Sequence, residues 1–285
     1  MHEGCWSSMK VSILVPAYNE QATIGIVLRK LIAVDLNDKR IGLQVDREII
    51  VVDDGSSDGT HGAVEAFIQE NPSASQQIRL IRQPRNMGKT AAIATAIDAA
   101  SGEVLIIQDA DLEYDPKEIP GVLFPIFENW ADVVYGSRFL VKKASRVLYF
   151  YHYVANKFLT LLSNVLTNRN MSDIETCYKA FRREVIVPLE LSSKGFGMEV
   201  EITAMVCKTI ARTYEVPISY YGRTYDEGKK IGVWDGIAAI WYILYYNLIH
   251  PMTGQGQAYI QTVNRSLREL HSRIPPGEIY DPNEI

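Results

Sequence analysis

Short runs of β-branched and aliphatic residues alternate with longer segments of helical spacing through the first half of the chain. The short runs predict strands at 11–15, 47–52, 78–82, 103–108 and 132–135, and the longer segments predict helices at 20–33, 58–70 and 89–100. This alternation is typical of βαβ units, which build an open and mostly parallel sheet. We therefore predict an α/β fold with helices on both faces of the sheet. Ligands of such a sheet bind beyond the carboxyl ends of its strands.

The second half of the chain follows a different pattern, because helical segments predominate after about residue 140. One further strand is predicted at 213–220. Two helical segments, 148–166 and 237–249, are rich in aromatic residues, which favour the boundary between lipid and water. The polar segment that follows predicts one more helix, near 257–272.

Composition excludes several classes of protein. The 285 residues are 47% hydrophobic and 22% charged, as in an ordinary globular protein. A net charge of −5 offers no electrostatic reason to bind nucleic acid. Three cysteines are too few for a disulfide framework, so we expect a reducing, cytosolic location. The N-terminal residues lack the pattern of a signal peptide, and no uniformly apolar run reaches the ~18 residues of a membrane span.

Three acidic residues follow the apolar run of the fourth predicted strand: Asp109, Asp111 and Glu113. In an extended chain, side chains at i and i+2 point to the same side, so these carboxylates are expected to converge. Converging carboxylates repel each other unless a cation lies among them, and Mg²⁺ or Mn²⁺ prefers such oxygen ligands. The sequence therefore predicts a divalent metal site. The alternative is that the acids only cap the next helix.

Two other strand ends carry candidate binding residues. Asp54 lies in a glycine-containing turn after the second strand, where a carboxylate can accept hydrogen bonds from ribose hydroxyl or base N–H groups. The alternative is a solvated turn in which Asp58 is a helix N-cap. After the first strand, Pro16 stiffens the turn and Tyr18 offers an aromatic face on which a base could stack.

Lys89 lies in a segment, Asn86 to Thr90, that resembles the end of a phosphate-binding loop. A complete P-loop needs glycine five residues before Gly88, where this chain has Gln83. A P-loop nucleotidase is therefore disfavoured, and no Gly-rich dinucleotide fingerprint follows the first strand. Two interpretations of Lys89 stay open: a phosphate ligand, or a solvated lysine at a helix start.

In their order, these motifs resemble the family 2 glycosyltransferases, and most closely the branch that glycosylates dolichyl and other polyprenyl phosphates. The resemblance covers roughly residues 10–250. It rests on residues 15–20 and 51–60, on Asp109-Ala110-Asp111, on Gly136-Ser137-Arg138, and on Arg223 and Lys229 in a basic segment. The Gln-x-x-Arg-Trp signature of processive polysaccharide synthases is absent, which favours a single-transfer enzyme.

The resemblance implies a GT-A-like catalytic domain at 10–222, a mobile basic loop and aromatic amphipathic helix at 223–250, and a polar C-terminal tail at 251–285. It implies that the nucleoside of a nucleotide sugar is held by Pro16, Ala17, Tyr18, Glu20, Val52 and Asp54. It implies that Asp109, Ala110 and Asp111 hold the diphosphate through Mg²⁺ or Mn²⁺, with Glu113 as a further metal ligand. It implies phosphate binding by Arg138, Arg223 and Lys229.

The implied reaction moves a hexose from GDP-mannose or UDP-glucose to a polyprenyl phosphate. A phosphate is mostly ionised at neutral pH and needs no enzyme base to attack the sugar. In-line attack would invert the anomeric carbon, with Asp111 and Arg138 acting on the leaving diphosphate. The alternative is transfer to a sugar hydroxyl, which needs a carboxylate base such as Asp173 or Glu175. A binding module that has lost catalysis is the third hypothesis, and the intact acids at 109 and 111 argue against it.

Two further expectations concern the acceptor side. Lys142, Lys143 and Arg146 precede the aromatic segment 148–166, as in proteins that lie on an anionic membrane surface. We therefore expect peripheral contact with the cytosolic face of a membrane, or docking on a separate membrane protein. The alternative is that both aromatic helices pack against the core. Glu199 and Glu201 either face the sugar or act only as acids at a helix N-terminus.

Overall fold

The computed structural model describes residues 8–38, 42–140, 149–222 and 233–273. The strands are β1 (Ser8–Ala17), β2 (Gln44–Asp53), β3 (Ile78–Arg82), β4 (Val104–Ile107), β5 (Val133–Ser137), β6 (Lys179–Arg182) and β7 (Thr213–Pro217). The helices are α1 (Ile24–Ala33), α2 (Thr60–Glu70), α3 (Pro72–Ser75), α4 (Lys89–Ala99), α5 (Ile119–Phe127), α6 (Phe150–Thr167), α7 (Arg183–Ile186), α8 (Met198–Val206), α9 (Val233–Leu244) and α10 (Gly254–Arg273). A π-helical turn, Tyr245–Ile249, continues α9.

The strands form one open sheet in the order β3-β2-β1-β4-β6-β5-β7. All neighbouring pairs are parallel except those of β6, which runs antiparallel to both β4 and β5. The predicted α/β class and mostly parallel sheet are confirmed. Strand β6 was not predicted, because helical spacing predominates in the sequence between 140 and 213. Its four residues, Lys-Ala-Phe-Arg, have charged ends and are too short to show a strand period, yet all four are buried.

The register of the parallel strands brings three strand ends to the same edge. Ala17 of β1 pairs with Asp53 of β2, and Leu14 pairs with Ile107 of β4. The next residues continue this pairing, since Asp54 donates its backbone N–H to the carbonyl of Ala17 at 2.8 Å. The loops that carry the predicted site residues are therefore neighbours.

Helices cover both faces of the sheet, as predicted. Apolar side chains of α1, α2 and α5 pack on one face, and those of α4, α8 and α10 pack on the other. Helix α10 lies within the segment predicted as a polar tail, and its Tyr259, Val263 and Leu267 are buried in the second layer. This helix is therefore part of the core, because its inner face supplies three large side chains at helical spacing.

Helices α6 and α9 pack against each other, and each leaves one apolar face exposed. We call these faces the apolar surface: Phe150, Val154, Phe158, Leu161 and Val165 on α6, with Ile237, Trp241, Leu248 and Met252 on α9 and the turns after it. The opposite faces pack inward, through residues such as Leu159 and Ile243. None of the helices described has both the length and the hydropathy of a membrane-spanning segment.

Candidate active site

The loops after β1 and β2 are fastened to each other by polar contacts. Asn19 adopts a left-handed backbone conformation, with φ of 56°. Its backbone N–H donates to Oγ of Ser56 at 3.0 Å, and its Oδ1 accepts the backbone N–H of Ser57 at 2.9 Å. Asp58 accepts the backbone N–H of Thr60 at 2.9 Å, but Gly59 occupies the N-cap position of α2, so the interpretation of Asp58 as the N-cap is wrong by one residue. Beside these loops lies a cleft of about 400 Å³, lined by Asn19, Glu20, Gln21, Ala22 and Asp58.

Asp54 joins this region to the start of α4. Its carboxylate is buried, and its two oxygens accept the backbone N–H groups of Met87 and Gly88, both at 2.8 Å. Gly88 has φ of 92°, a conformation that favours glycine. The structure therefore gives Asp54 a positioning role, because it holds the turn that precedes Lys89.

Lys89 lies among acidic groups at the end of β4. Its Nζ is 2.8 Å from Oδ1 of Asp109 and 3.4 Å from Oε1 of Glu199, and it donates to Sγ of Cys177 at 2.9 Å. We call these four residues the Lys89 centre. Burial alone would lower the pKa of Lys89, but Asp109, Cys177 and Glu199 raise this pKa well above its usual value. Lys89 is therefore a charged partner of the acids, and the solvated interpretation is wrong.

The three predicted metal ligands do not converge on one point. Strand β4 ends at Ile107 and residues 110–114 form bends, so the alternation of an extended strand does not continue through the acidic segment. Asp109 contacts Lys89, Asp111 accepts the backbone N–H of Glu113 at 3.1 Å, and Glu113 accepts the hydroxyl of Tyr220 at 2.9 Å. No three His, Cys, Asp or Glu residues in the described part of the chain are arranged to hold a metal by themselves.

Arg138 and Asp173 form a bidentate ion pair. Nε of Arg138 donates to Oδ2 of Asp173 at 2.7 Å, and Nη2 donates to Oδ1 at 2.8 Å. The guanidinium also lies 5.1 Å from the ring centroid of Tyr220. Burial raises the pKa of Asp173, but Arg138 outweighs it and lowers this pKa below its usual value. A carboxylate held in this way is a poor general base, so the geometry favours Asp173 as the residue that positions Arg138.

Glu199 of the Lys89 centre and the nearby Glu175, which is partly exposed, carry chemistry that the sequence pattern alone does not reveal. Oε1 of Glu175 and Oε2 of Glu199 are buried and have no hydrogen-bond partner among the described residues. Burial and then the nearby Glu199 raise the pKa of Glu175 to about 7. The buried Lys179, whose Nζ donates to the carbonyl of Ile174 at 3.0 Å, was not recognised at all. Its short strand carries no motif that could have revealed it.

Glu201 has a structural contact instead. Its carboxylate accepts the backbone N–H groups of Ser192 and Ser193, at 3.0 Å and 2.9 Å. It therefore holds the loop that leads into α8, whereas Glu199, two residues earlier, contacts Lys89.

The sequence of this chain resembles those of known proteins. The family model described as glycosyl transferase family 2 matches residues 12–187, which is more than half of the chain. The chain belongs to glycosyl transferase family 2. A dolichol-phosphate mannosyltransferase of Pyrococcus furiosus is 28% identical over 226 residues, which are 79% of this chain and 60% of that protein. An undecaprenyl-phosphate 4-deoxy-4-formamido-L-arabinose transferase of Proteus mirabilis is 30% identical over 224 residues, 77% of this chain and 62% of that protein. This family 2 chain thus matches only about three fifths of the length of these curated relatives.

Solved structures agree with the fold of this family 2 chain. The glucosyl-3-phosphoglycerate synthase of Mycobacterium tuberculosis, solved in complex with Mn²⁺, uridine diphosphate and phosphoglyceric acid, superposes with a TM-score of 0.60. It is 20% identical, and the match covers 85% of this chain and 79% of that one. At this identity the likeness concerns the fold alone, which is of the GT-A type.

The remaining residues implied by the family resemblance lie at the same edge or outside the described residues. Ala17, Val52 and Ala110 are buried in the core, so their side chains are not available to a ligand, while Tyr18 is exposed. Pro16 pairs with Val52 within the sheet. Glu20 lines the cleft. Five predicted basic residues lie outside the residues that the structure describes: Arg223 and Lys229 of the predicted basic loop, and Lys142, Lys143 and Arg146.

Proposed function

We propose that this chain catalyses the transfer of a hexose, with inversion, from a nucleotide sugar to the phosphate of a polyprenyl lipid, and that a divalent cation assists. GDP-mannose and UDP-glucose are the donors we propose. The observation that carries the acceptor half is the position of Arg138 beside α6, the helix whose exposed face forms part of the apolar surface: Asn156 of α6 donates to Asp173, the partner of Arg138, at 3.5 Å. Phe139, the residue after Arg138, packs edge-on against Tyr153 of α6, with ring centroids 5.3 Å apart.

The donor would lie across the ends of β1, β2 and β4. The cleft beside Asn19 and Glu20 and the exposed ring of Tyr18 suit a nucleoside, since a base can stack on an aromatic face. The end of β4, with Asp109 and Asp111, suits the diphosphate.

The carboxylates at this edge fit a magnesium-type ion that arrives with the donor. Mg²⁺ is commonly held by one or two carboxylates, with substrate phosphate and water completing its shell. Asp111 and Asp109 supply such ligands, and they do not form a complete cage without phosphate. When bound, the ion would stabilise the negative charge of the leaving nucleotide.

Arg138 would bind phosphate and reduce the repulsion between the acceptor and the donor diphosphate. A guanidinium has five N–H donors, and Asp173 takes two of them through its carboxylate. Because Asp173 holds the guanidinium in one orientation, Arg138 is preorganised for an anionic transition state.

The apolar surface is proposed to lie on the lipid bilayer that holds the acceptor. Five apolar side chains of α6 recur at intervals of three or four residues, and Phe150, Leu161 and Val165 are 68%, 61% and 71% exposed. An exposed stripe of this kind is typical of helices that lie in a membrane interface. The relatives named for dolichyl and undecaprenyl phosphate support the same acceptor class.

Transfer to a sugar hydroxyl is less well supported. That reaction needs a free carboxylate base. Asp173 is committed to Arg138 with a lowered pKa, which leaves Glu175, with a pKa of about 7, as the one of the two acids suited to that role. The relatives named for polyprenyl phosphates favour the phosphate acceptor instead.

The proposal is tested with radiolabelled GDP-mannose and UDP-glucose, each incubated with the protein, Mn²⁺ or Mg²⁺, and vesicles containing polyprenyl phosphate. We expect label to move into the organic phase from one donor and to stay in the aqueous phase when a chelator is present. Label found only in water-soluble products would contradict the proposed acceptor.

Membrane contact is tested separately by flotation with vesicles rich in phosphatidylglycerol. Phe158→Asp and Leu161→Asp place charge on the apolar surface, and we expect both to reduce the bound fraction. Ile26→Asp is the matched control, because Ile26 is an exposed apolar residue on α1, which lies outside the apolar surface. Equal flotation of all variants would contradict docking through this surface.

A further inference from the structure

Lys89 interacts with both carboxylates of its centre at once. The ammonium is 2.8 Å from Asp109 and 3.4 Å from Glu199, and the Glu199 side chain is only 4% exposed. An ionised carboxylate so deeply buried is costly unless a cation balances it. Lys89 therefore supplies positive charge beside both carboxylates.

The position of this ammonium matters for the metal. A divalent ion bound by Asp109 would lie about 2–2.6 Å from a carboxylate oxygen. Lys89 already contacts Oδ1 of the same carboxylate, so ion and ammonium would be close neighbours of like charge. Metal binding without another anion must overcome this repulsion.

We propose that Lys89 makes metal binding depend on the donor diphosphate, an inference that rests on the proposed function. Before the donor arrives, the ammonium of Lys89 offsets part of the negative charge of Asp109 and Glu199 and keeps the affinity for a divalent ion low. The diphosphate brings enough negative charge to accommodate ammonium and metal together. Glu199 keeps Lys89 within the centre throughout, so Lys89 is a positioning residue and not a metal ligand.

Two features of Lys89 and Glu199 agree with this assignment. A lysine ammonium is a point charge on a flexible stem, so it can shift between neighbouring anions without remodelling the backbone. Oε2 of Glu199 is buried without a hydrogen-bond partner among the described residues, which leaves an acceptor for the ammonium when Asp109 binds a metal.

The test measures Mn²⁺ affinity by electron paramagnetic resonance, with the metal alone and with saturating UDP or GDP. For the unaltered chain we expect weak binding of Mn²⁺ alone and a gain of at least about tenfold with the nucleotide. For Lys89→Met we expect Mn²⁺ alone to bind about tenfold more tightly, and the gain from nucleotide to fall towards one. Lys30→Met is the control, since Lys30 forms a surface ion pair with Asp115 at 3.4 Å, and it should behave like the unaltered chain.

The double variant Lys89→Met with Glu199→Gln is a second test in case the single variant does not fold. It removes one positive and one negative charge, so the net charge of the centre stays the same. It should also bind Mn²⁺ alone more tightly than the unaltered chain, since Asp109 is released. Unchanged or weaker binding by folded Lys89→Met or by the double variant would overturn the inference. If the unaltered chain binds no Mn²⁺ with either nucleotide, the proposed function itself fails.

Discussion

Opposite edges of the sheet each place an aspartate beside a basic side chain, and the two sites differ in how completely the carboxylate oxygens are paired. At the amino edge, Asp132 precedes β5 and is fully buried. Arg212 contacts it at 2.9 Å and 3.1 Å, and Nε2 of His271 lies 3.0 Å away. At the carboxyl edge, Asp109 has Lys89 at 2.8 Å but remains partly exposed.

The surroundings of the two aspartates explain the difference. The Asp132 site connects β5, the start of β7 and α10, and both oxygens of Asp132 accept hydrogen bonds from the guanidinium of Arg212. At the carboxyl edge, Glu175 and Glu199 each bury an oxygen without a hydrogen-bond partner among the described residues. A buried carboxylate whose oxygens are both paired stabilises the fold, whereas buried carboxylate oxygens without partners are typical of a site that binds something else.

The largest effect is expected from breaking the amino-edge site. Asp132→Ala leaves the buried Arg182 and the half-buried Arg212 without their counter-ion, and removing one partner of a buried pair costs about 3–5 kcal/mol. We expect the free energy of unfolding in urea to fall by about 3 kcal/mol while the folded fraction keeps its activity. Asp98→Ala, an exposed position on α4, is the control. A stable but inactive Asp132→Ala protein would reverse the comparison.

Asp111→Ala tests the carboxyl edge, where we expect a loss of activity with little loss of stability. Loss of a ligand to the metal should lower kcat by about a hundredfold or more, since a metal supplies several kcal/mol of charge stabilisation and each 1.36 kcal/mol is a factor of ten. The free energy of unfolding should change by less than about 0.5 kcal/mol, because Asp111 is partly exposed. Transfer assays and urea unfolding on the same preparation check both outcomes. A fully active variant would refute the metal site.

Glu175→Gln tests the carboxyl edge through the pH dependence of the free energy of unfolding. With a folded pKa of about 7 and an ordinary value of 4.5, the folded state keeps a proton that the unfolded chain loses. The contribution of Glu175 to the free energy of unfolding is therefore at its maximum below about pH 4.5, and it is lost as the pH rises towards 7. Glutamine does not ionise, so the free energy of unfolding of the variant does not fall in this way. Its difference from the unaltered chain should therefore be about 2 kcal/mol more favourable at pH 8 than at pH 5. Urea unfolding at both values measures the gain, and a gain that does not depend on pH would contradict it.

Arg138→Lys is expected to have the smallest effect. Lysine keeps the charge but cannot pair with Asp173 through two parallel N–H groups. We expect kcat to fall about tenfold and the free energy of unfolding to fall by about 1 kcal/mol. Arg79→Lys on β3 is the control, because Arg79 is exposed. An unchanged kcat would show that the paired geometry of Arg138 does not serve the reaction.

The local parts of the fold and site could be predicted because their signals are contiguous in the chain. The alternation of strands and helices, the turn at Asp58 before α2 and the acidic segment after β4 each depend on only a few neighbouring residues. The convergence of Asp109, Asp111 and Glu113 was predicted wrongly, since the backbone bends where an extended strand was assumed. Strand β6 was missed because it is short and pairs with strands distant in sequence.

By itself, the sequence determined which chemical groups stand at the strand ends and which helices carry an apolar face, because periodicity and turn residues act over short range. Only the tertiary structure decided which charges meet: Lys89 with Glu199, Arg138 with Asp173, and Asp132 with His271. These partners lie on different elements, and the packing of helices on the sheet brings them together. The balance of charge at each site, and hence whether it stabilises the fold or binds a ligand, follows from that packing.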